Sequence, residues 1–509
     1  MIVCHRIKPQ TYFDSVTLML VGTELKKLPG VTNAVVGMGT DYNLDSLKRL
    51  GMYSDAFAGV TPADLVLAVQ AADQPAGEAA LAAAEDLLQR RPAPASRGAA
   101  YAPTTQDGGA RLLPDANLVL ISVPGPFAAR ETEIALAAGR HVMLFSDNVP
   151  LEDEVRLKEM AVRKGLLVMG PDCGTAIINQ VPLAFANVVR PGDIGLVAAS
   201  GTGLQEVTAL ITRLGFGISQ AIGVGGRDLS EKVGGRMTLL AAQALADDPR
   251  TKVIVLISKP PAPAVVEALF ARLQQIRKPV VVYFIGADPQ MITRAGFRAA
   301  AHLEDAALQA CALAGGRPVS PLLSLDEIRR RAAGQTLPGR FVRGLYSGGT
   351  LCDEAQRLLQ GSLGEIWSNT PVPGCRALPD PFQSRGHCIV DLGDDTFTRG
   401  RAHPMIDPAY RQERLQAEAA DPDVGLIFFD VVLGFGSHPD MAGAMAEAVR
   451  QVRARGGHQP RFAATILGTE GDPQNLRRQE ATLADAGIDT FPSNVALVTY
   501  VQHLIASKG

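Results

Sequence analysis

The stretch Gly195-Leu-Val-Ala-Ala-Ser-Gly-Thr-Gly-Leu-Gln-Glu206 passes from an apolar run through small residues into an amphipathic segment. This pattern predicts a strand, a tight turn and a helix. The glycines let backbone amides approach a ligand, and the free N–H groups and partial positive charge of a helix N-terminus favour an anion. We therefore expect a phosphate site here, with the binding residues Ser200, Gly201, Thr202 and Gly203.

The same pattern returns in the stretch Arg343-Gly-Leu-Tyr-Ser-Gly-Gly-Thr-Leu-Cys-Asp-Glu354, where Ser347 takes the place of Ser200. Each stretch is followed later by an Asp-Pro pair and a buried apolar run, at Asp248 and at Asp421, which indicates a duplicated α/β unit. A pseudo-two-fold arrangement could then aim two helix N-termini at one phosphoryl group. The second set of expected binding residues is Ser347, Gly348, Gly349 and Thr350.

Composition limits the kind of protein to which these turns can belong. A chain of 509 residues that is 47% hydrophobic and 20% charged should hold roughly three or four domains. Its formal net charge of −3 indicates neither a nucleic-acid nor a membrane partner, so we expect a small-molecule substrate. Six scattered cysteines indicate reduced thiols and no metal site, and the absence of a membrane-length apolar run predicts a cytoplasmic protein.

Apolar runs alternate with amphipathic segments along most of the chain, which predicts an α/β fold with several Rossmann-like or flavodoxin-like parallel sheets. The stretch 91–115 is rich in Pro, Ala and Gly and predicts a linker or a long surface loop. We expect a small α+β N-terminal domain followed by three α/β domains. The four predicted ranges are 1–95, 112–190, 191–335 and 336–509.

Further candidate residues follow other predicted strands. Parallel strands collect ligands at their carboxyl ends, so the phosphate or substrate site could also include Pro171, Asp172, Cys173, Gly225 and Gly226. Each glycine could instead serve a turn with positive φ. Packing explains Cys173 better than catalysis does, because no histidine lies near it in the sequence.

The loop 399–407 contains two arginines, a histidine and a carboxylate. Such a mixture could bind an acid or relay a proton, which makes His403 and Asp407 candidate catalytic residues. A solvated loop is the alternative interpretation.

Several motifs carry a family resemblance. From about residue 117 to 286 the chain resembles the α subunit of succinyl-CoA synthetase, with the family's motifs in the family's order. The matching motifs are VPGPF at 123–127, GPDCGTA at 170–176, SGTGLQE at 200–206, GVGG at 223–226 and DPRTKVIVLI at 248–257.

The part from about 424 to 504 resembles the C-terminal ligase domain of the partner β subunit. Together with the segment His403-Pro-Met-Ile-Asp-Pro408, this fused arrangement resembles the FdrA family of acyl-CoA-synthetase-like proteins over nearly the whole chain. The resemblance implies sheets of the succinyl-CoA synthetase type. It also implies a CoA-binding-like Rossmann domain at 112–190, a ligase domain at 191–335 and a second ligase-like domain at 336–509.

The chain also departs from succinyl-CoA synthetase. The family's phosphorylated histidine lies in a glycine-rich GHAGA loop, whereas residues 287–302 contain no such loop and His302 falls within a predicted helix. The family's first CoA-binding unit is not recognisable before Asn117, and no ATP-grasp region is evident. Ordinary ligase turnover is therefore not expected from this chain alone, and no cofactor is assigned; CoA and ATP belong only to the ligase alternative.

The resemblance to FdrA implies a subunit of an oxamate carbamoyltransferase complex in anaerobic allantoin breakdown, with other subunits as partners. The reaction moves a carbamoyl group between oxalurate and phosphate, so phosphate and carbamoyl phosphate are substrates. The resemblance also makes Glu206 a candidate catalytic residue that could orient a substrate N–H group, with a helix salt bridge as the alternative. An acyl-CoA synthetase and a non-catalytic scaffold for phosphate or acyl-CoA remain as alternatives, and homo-oligomerisation is left open.

Overall fold

The structure is a computed structural model that describes residues 1–89, 103–399 and 401–506. The chain divides into two units: unit 1 comprises Met1–Ala102 and Leu392–Ala409, and unit 2 comprises Pro103–Asp391 and Tyr410–Gly509. None of the helices in the described ranges has the length and apolarity needed to cross a bilayer.

Unit 1 begins with the elements β1 (Ile2–Lys8), α1 (Ser15–Leu25), β2 (Val31–Met38), α2 (Asp41–Arg49), β3 (Leu65–Ala71) and α3 (Gln74–Gln89). The strands form an antiparallel sheet in the order β1-β3-β2, with β3 as the central strand. Leu18 of α1, Leu67 of β3 and Leu81 of α3 pack in one core. The N-terminal part is therefore a small α+β unit, as predicted.

Unit 2 begins with the elements α4 (Gln106–Leu112), β4 (Leu118–Ile121), α5 (Gly125–Ala137), β5 (His141–Leu144), α6 (Leu151–Lys164) and β6 (Val168–Met169). β4, β5 and β6 form a parallel sheet, so the predicted β-α-β-α-β order is confirmed. The linker prediction for 91–115 is wrong for its last part, because the Thr105 side chain caps α4 there. Residues 91–102 of that prediction lie outside the described residues.

The next sheet has seven strands. Its elements are β7 (Thr175–Ile178), β8 (Val181–Ala184), β9 (Pro191–Ala199), α7 (Gly201–Arg213), β10 (Ile218–Gly223), α8 (Arg236–Asp247), β11 (Val253–Ser258), α9 (Pro263–Leu273), β12 (Val280–Phe284), α10 (Pro289–Arg294), β13 (Arg298–Ala299) and α11 (Leu303–Gly315). The strand order is β13-β12-β11-β9-β10-β7-β8. The antiparallel hairpin of β7 and β8 lies at one edge, so the predicted boundary between residues 190 and 191 falls inside this sheet.

A second seven-stranded sheet follows α12 (Leu325–Ala332). Its elements are β14 (Phe341–Tyr346), α13 (Gly349–Leu363), β15 (Ile366–Ser368), β16 (Arg376–Ala377), β17 (His387–Asp391), α14 (Asp395–Thr398), α15 (Ala409–Ala419), β18 (Val424–Val432), α16 (Met441–Arg455), β19 (Arg461–Leu467), α17 (Leu476–Asp485), β20 (Asp489–Phe491) and α18 (Asn494–Ala506). All of its strand pairs are parallel, in the order β16-β15-β17-β14-β18-β19-β20. α14 lies in the segment that belongs to unit 1.

Both seven-stranded sheets contain the flavodoxin-like strand order 2-1-3-4-5, as β10-β9-β11-β12-β13 and as β17-β14-β18-β19-β20. The α/β fold class with flavodoxin-like sheets is thus confirmed. Ligands of such sheets bind beyond the carboxyl ends of the strands, where the strand order reverses. In the sheet of β9 this point lies between β9 and β11, and the residues directly after these strands are Ser200 and Lys259.

Candidate functional site

The first predicted phosphate turn forms the N-terminus of α7. Ser200 is the N-cap, and its Oγ accepts a hydrogen bond from the Gly203 N–H at 3.0 Å. The first N–H groups of a helix have no acceptor within the helix. The N–H groups of Gly201 and Thr202 therefore point beyond the N-terminal end of α7. Gly201 is exposed, whereas Thr202 is buried. The turn therefore presents an accessible helix N-terminus of the kind that binds anions.

The second predicted turn meets the first one directly. Ser200 Oγ and Thr350 Oγ1 are 2.7 Å apart, and a Cβ added to Gly348 would lie 2.8 Å from Thr202 Cγ2. The N-cap of α13 is Gly348, so Gly348 corresponds to Ser200, and the predicted pairing of Ser347 with Ser200 is off by one residue. We call the place where these helix N-termini meet the paired-helix site; its residues are Ser200, Thr202, Lys259, Gly349 and Thr350.

A carboxylate of the chain itself occupies part of the second turn. Asp430 accepts hydrogen bonds from the N–H groups of Ser347 and Gly348, each at 2.8 Å. Arg411, which is fully buried, donates to Asp430 Oδ1 at 2.8 Å. The backbone N–H groups of Ser347 and Gly348 are therefore not available to a phosphate. This corrects the prediction that these two residues bind one. The physical reason is that Asp430 lies in β18, the strand next to β14, and already supplies the anion.

Lys259 is a residue of this site that the sequence analysis missed. It follows β11, whose last residue Ser258 pairs with Ala199 at the end of β9. A Cβ on Gly349 would lie 3.0 Å from Lys259 Nζ and 2.5 Å from Asp391 Oδ2. Burial opposes the charge of Lys259, but neighbouring carboxylates, led by Asp353, hold its pKa above the ordinary value. Lys259 is therefore a cation beside two helix N-termini.

Thr175 adds a hydroxyl close to the first turn. It is 1% exposed, and its Oγ1 has no hydrogen-bond partner among the described residues. A Cβ on Gly201 would lie 4.0 Å from this oxygen. A buried hydroxyl without a partner is costly unless a water or a ligand completes it. Thr175 lies in the GPDCGTA motif, but the sequence analysis did not select it as a site residue.

Among the other strand-end candidates, turn geometry and packing account for Gly225, Pro171 and Cys173. Gly225 has φ +86, and a Cβ there would lie 2.5 Å from Pro171 O, so a turn and a close approach explain this glycine. Gly226 and Asp172 are exposed. Burial raises the pKa of the Cys173 thiol to about 12, which favours packing over a nucleophile.

Glu206 lies deep inside unit 2. It is 1% exposed, and its Oε1 accepts the N–H of Asn494 at 3.0 Å, at the start of α18. This contact replaces the helix salt bridge that was the alternative interpretation. Burial, reinforced by the nearby carboxyls of Glu354 and Glu304, raises the pKa of Glu206 to about 8. Glu206 therefore supports the junction of α7 and α18.

The two candidate catalytic residues of the loop 399–407 belong to unit 1, whereas Glu206 and Ser200 belong to unit 2. His403 Nδ1 accepts the Met405 N–H at 3.2 Å, and Asp407 Oδ1 accepts the Ala409 N–H at 2.9 Å. Each side chain thus stabilises its own turn. Gly400 of this loop lies outside the described residues.

His302 is not inside a helix as predicted. It is the N-cap of α11, and its Nδ1 accepts the Asp305 N–H at 3.1 Å. Residues 287–302 form α10, β13 and connecting turns. One ring nitrogen of His302, Nδ1, is therefore engaged in a helix cap.

Three family models match this chain. Residues 1–104 match a domain described as the AllF heavy metal-associated domain, residues 189–286 match a CoA binding domain, and residues 345–503 match a CoA-ligase domain. Over 494 residues the chain is 44% identical to the protein YahF of Escherichia coli (strain K12), with 95% of this chain and 94% of YahF covered. The chain belongs to the YahF family. This is an FdrA-like family that resembles succinyl-CoA synthetase.

Two further similarities are weaker than the match to YahF. Over 179 residues the chain is 31% identical to the α subunit of the ADP-forming succinate–CoA ligase of Methanothermobacter thermautotrophicus, covering 34% of this chain and 58% of that subunit. A solved dinucleotide-forming acetyl-coenzyme A synthetase of Ca. Korarchaeum cryptofilum, in complex with phosphate and ADP, matches 77% of this chain and 82% of its own at 16% identity and a TM-score of 0.29. The CoA binding and CoA-ligase matches make this YahF-family chain acyl-CoA-synthetase-like. The match to the CoA binding domain covers residues 189–286, which include β9. The sequence analysis had assigned most of this range to a ligase domain at 191–335.

The name of the N-terminal domain raises the question of a heavy metal, and the residues do not fit one. Cys4 is 4% exposed and packs under α3, where a Cβ on Gly77 would lie 2.4 Å from its Sγ. Burial, followed by the charge of Glu78, raises the pKa of this thiol. His5 packs against the Phe57 ring at 5.0 Å. The described residues contain no group of three His, Cys, Asp or Glu side chains suited to a metal, so no step is assigned to one.

Proposed function

We propose that this YahF-family chain is a subunit of a carbamoyltransferase complex of the oxamate type. The observation that carries the proposal is Lys259, a cation that makes no ion pair within 4.0 Å among the described residues and lies at the paired-helix site. Cations and helix N-termini together favour a phosphoryl group. The stretch 287–302 contains no glycine-rich loop of the GHAGA type, which favours a free phosphate over a phosphorylated histidine.

The proposed chemistry is a direct transfer. An oxygen of phosphate attacks the carbamoyl carbon of oxalurate, a C–O bond forms, and the bond from that carbon to the oxalurate nitrogen breaks. The leaving nitrogen takes a proton, which gives oxamate and carbamoyl phosphate. The N–H groups at the start of α7 and the ammonium of Lys259 would hold the phosphate and stabilise the oxyanion that develops in the transition state.

This proposal assigns neither CoA nor a nucleotide to the reaction, because phosphate and the carbamoyl donor supply all of its atoms. It includes partner subunits in a cytoplasmic complex, and they would supply the remaining catalytic groups. His403 and Asp407 are not placed at the paired-helix site in this proposal, since each caps its own turn in unit 1.

An acyl-CoA synthetase is the second candidate function. It is favoured by the matches of residues 189–286 to a CoA binding domain and of residues 345–503 to a CoA-ligase domain. The carbamoyltransferase and the acyl-CoA synthetase differ in the substrates that they consume.

The chain purified with its partner proteins should form carbamoyl phosphate from oxalurate and phosphate. Formation of acyl-CoA from an acid, CoA and a nucleotide would establish the ligase instead. Tight phosphate binding without either turnover would indicate a scaffold subunit.

Lys259→Met is expected to weaken phosphate binding by about 10- to 100-fold, because a charge-assisted hydrogen bond contributes about 1.5 to 3 kcal/mol. Isothermal titration of the full chain with inorganic phosphate measures this change. Carbamoyl phosphate formation by the complex should fall as well.

Lys252→Met is the matched control. Lys252 precedes the same strand at its opposite end, is exposed, and pairs with Asp193 at 2.8 Å. This variant should bind phosphate like the wild type. Equal phosphate affinity of the wild type and Lys259→Met would refute the assignment of Lys259 to phosphate, and an absence of phosphate binding by the wild type would refute the site itself.

A further inference from the structure

Thr175 lies close to the first turn because of the register of the β7–β8 hairpin. β7 runs antiparallel to β10, with Ile177 opposite Ala221. In the same register, Thr175 at the start of β7 is level with Gly223 at the end of β10, and a Cβ on Gly223 would clash with the Thr175 carbonyl oxygen. Thr175 therefore reaches the edge of the sheet where the parallel strands have their carboxyl ends, the edge at which such sheets bind ligands.

The hydroxyl of Thr175 faces an open space at the N-terminus of α7. Thr175 is 1% exposed, and its Oγ1 has no hydrogen-bond partner in the part of the chain that the structure describes. Gly201, the first residue of α7, is exposed. Among the described residues outside its own turn, only Thr175 Oγ1 would lie within 4 Å of a Cβ added to Gly201, at 4.0 Å. A buried hydroxyl beside unpaired helix amides indicates a ligand that accepts hydrogen bonds from both.

The two turns differ in what occupies them. Asp430 of β18 accepts the N–H groups of the second turn. Counted from the N-cap of each helix, the residue of β11 that takes the place of Asp430 is Ile257. Ile257 packs against the start of α7, where a Cβ on Gly203 would lie 3.2 Å from its Cγ2. An aliphatic side chain cannot accept a hydrogen bond, so the first turn is left for an external anion.

We infer that the first turn, and not the second, binds the phosphoryl group, and that Thr175 is one of its binding residues. The Thr175 hydroxyl donates a hydrogen bond to a phosphoryl oxygen that lies beside Gly201 and also accepts from the N–H groups at the start of α7. A charged oxygen of this kind suits both donors, because hydrogen bonds to an ionised acceptor are the strong ones. This inference rests on the proposed phosphate site and adds the turn that is used and a residue that contacts the ligand.

Phosphate binding by two variants of Thr175 tests the inference. The full chain, alone and with its co-purified partners, is titrated calorimetrically with inorganic phosphate. Thr175→Val has nearly the same shape but no hydroxyl, and we expect it to bind phosphate about tenfold more weakly or worse, in line with one hydrogen bond to a charged group. Thr175→Ser keeps the hydroxyl and should bind within about threefold of the wild type.

Thermal unfolding without phosphate separates binding from packing. Thr175→Val should melt at the same temperature as the wild type or higher, because it removes a buried hydroxyl that has no partner. Thr132→Val is the control, since Thr132 of α5 is also fully buried but its hydroxyl donates to the Ala128 carbonyl at 2.8 Å. This control should melt at a lower temperature and bind phosphate like the wild type. A destabilised Thr175→Val that binds phosphate like the wild type would assign the hydroxyl to the fold and overturn the inference.

Gly201→Ala tests the same space without a change to Thr175. The added methyl group would meet Thr175 Oγ1 at 4.0 Å, an ordinary van der Waals contact, and Gly201 does not have a positive φ, so the fold should tolerate it. The methyl group would occupy the place of the phosphoryl oxygen, and phosphate should bind about tenfold more weakly or worse. Wild-type phosphate affinity in Gly201→Ala would overturn the inference even if Thr175→Val did not fold.

The proposed phosphate site and this inference fail in different ways. Absence of phosphate binding by the wild type would overturn both of them. Weaker binding by Lys259→Met together with unchanged binding by Thr175→Val would overturn the inference alone, and a water molecule would then be the partner of the Thr175 hydroxyl.

Discussion

Lys158→Met is expected to destabilise the protein by about 3 to 5 kcal/mol, the usual cost of removing one partner from a buried ion pair. Lys158 is fully buried in α6. Its Nζ donates to Glu154 Oε1 at 2.9 Å, to Asp228 Oδ1 at 2.8 Å and to the Val224 carbonyl at 2.9 Å. Methionine fills a similar volume but leaves two buried carboxylates without their shared cation.

The network around Lys158 connects two sheets of unit 2. Asp228 follows the glycine turn after β10, and its Oδ2 accepts both the N–H and the hydroxyl of Thr238 at the start of α8, at 2.8 and 2.7 Å. Glu154 also pairs with Arg227 at 2.9 Å. Loss of Lys158 should therefore loosen the packing of α6 against α8, beyond its effect on the pair itself.

Urea unfolding of the variant and the wild type at neutral pH measures this effect. Lys164→Met is the control, because Lys164 is exposed at the end of the same helix. A penalty below about 1 kcal/mol would contradict a buried pair and would match the value of surface ion pairs.

Local patterns in the sequence were sufficient to predict much of the fold. A buried parallel strand is a continuous apolar run in the sequence, and a capped helix follows it, so β9, α7 and β11 could be placed from the residues alone. The sequence repeat also predicted two sheets with the same topology. In the structure each of the two turns directly follows the central strand of its sheet, β9 or β14.

What the sequence could not predict depends on residues far apart in the chain. Asp430 reaches the second turn only because β18 lies beside β14, and the intervening stretch of more than 80 residues gives no local sign of it. The hairpin of β7 and β8 joins its sheet through β10. Lys259 had one usable signal, its position directly after a buried strand next to β9, but that neighbour is known only once the strand order is known.

Glu206→Gln is expected to stabilise the protein at alkaline pH and to have little effect in acid. Burial holds the pKa of Glu206 at about 8, although its place at the start of α18 favours a negative charge. Burial is the largest cause of the raised pKa, and repulsion from the nearby carboxyls of Glu354 and Glu304 raises it further. Glutamine resembles the protonated acid, and its carbonyl can still accept the Asn494 N–H.

The sign of this pH dependence follows from proton binding. In the unfolded chain Glu206 ionises near the ordinary glutamate pKa of 4.5, whereas in the folded protein it keeps its proton to about pH 8. The stability of the wild type therefore decreases from about pH 4.5 to about pH 8, where the folded state binds more protons, and Glu206→Gln escapes this loss. The difference in unfolding free energy should grow to the order of 5 kcal/mol, because the two pKa values differ by about 3.5 units and each unit contributes about 1.4 kcal/mol.

Thermal and urea unfolding of both proteins between pH 4 and pH 9 tests this expectation, with Glu267→Gln as the control on the exposed face of α9. The control should follow the wild type at every pH. A difference between Glu206→Gln and the wild type that does not change with pH would mean that Glu206 is already ionised in the folded protein. The helix N-terminus of α18 would then outweigh burial, and Glu206 would act as an anionic cap of α18 at neutral pH.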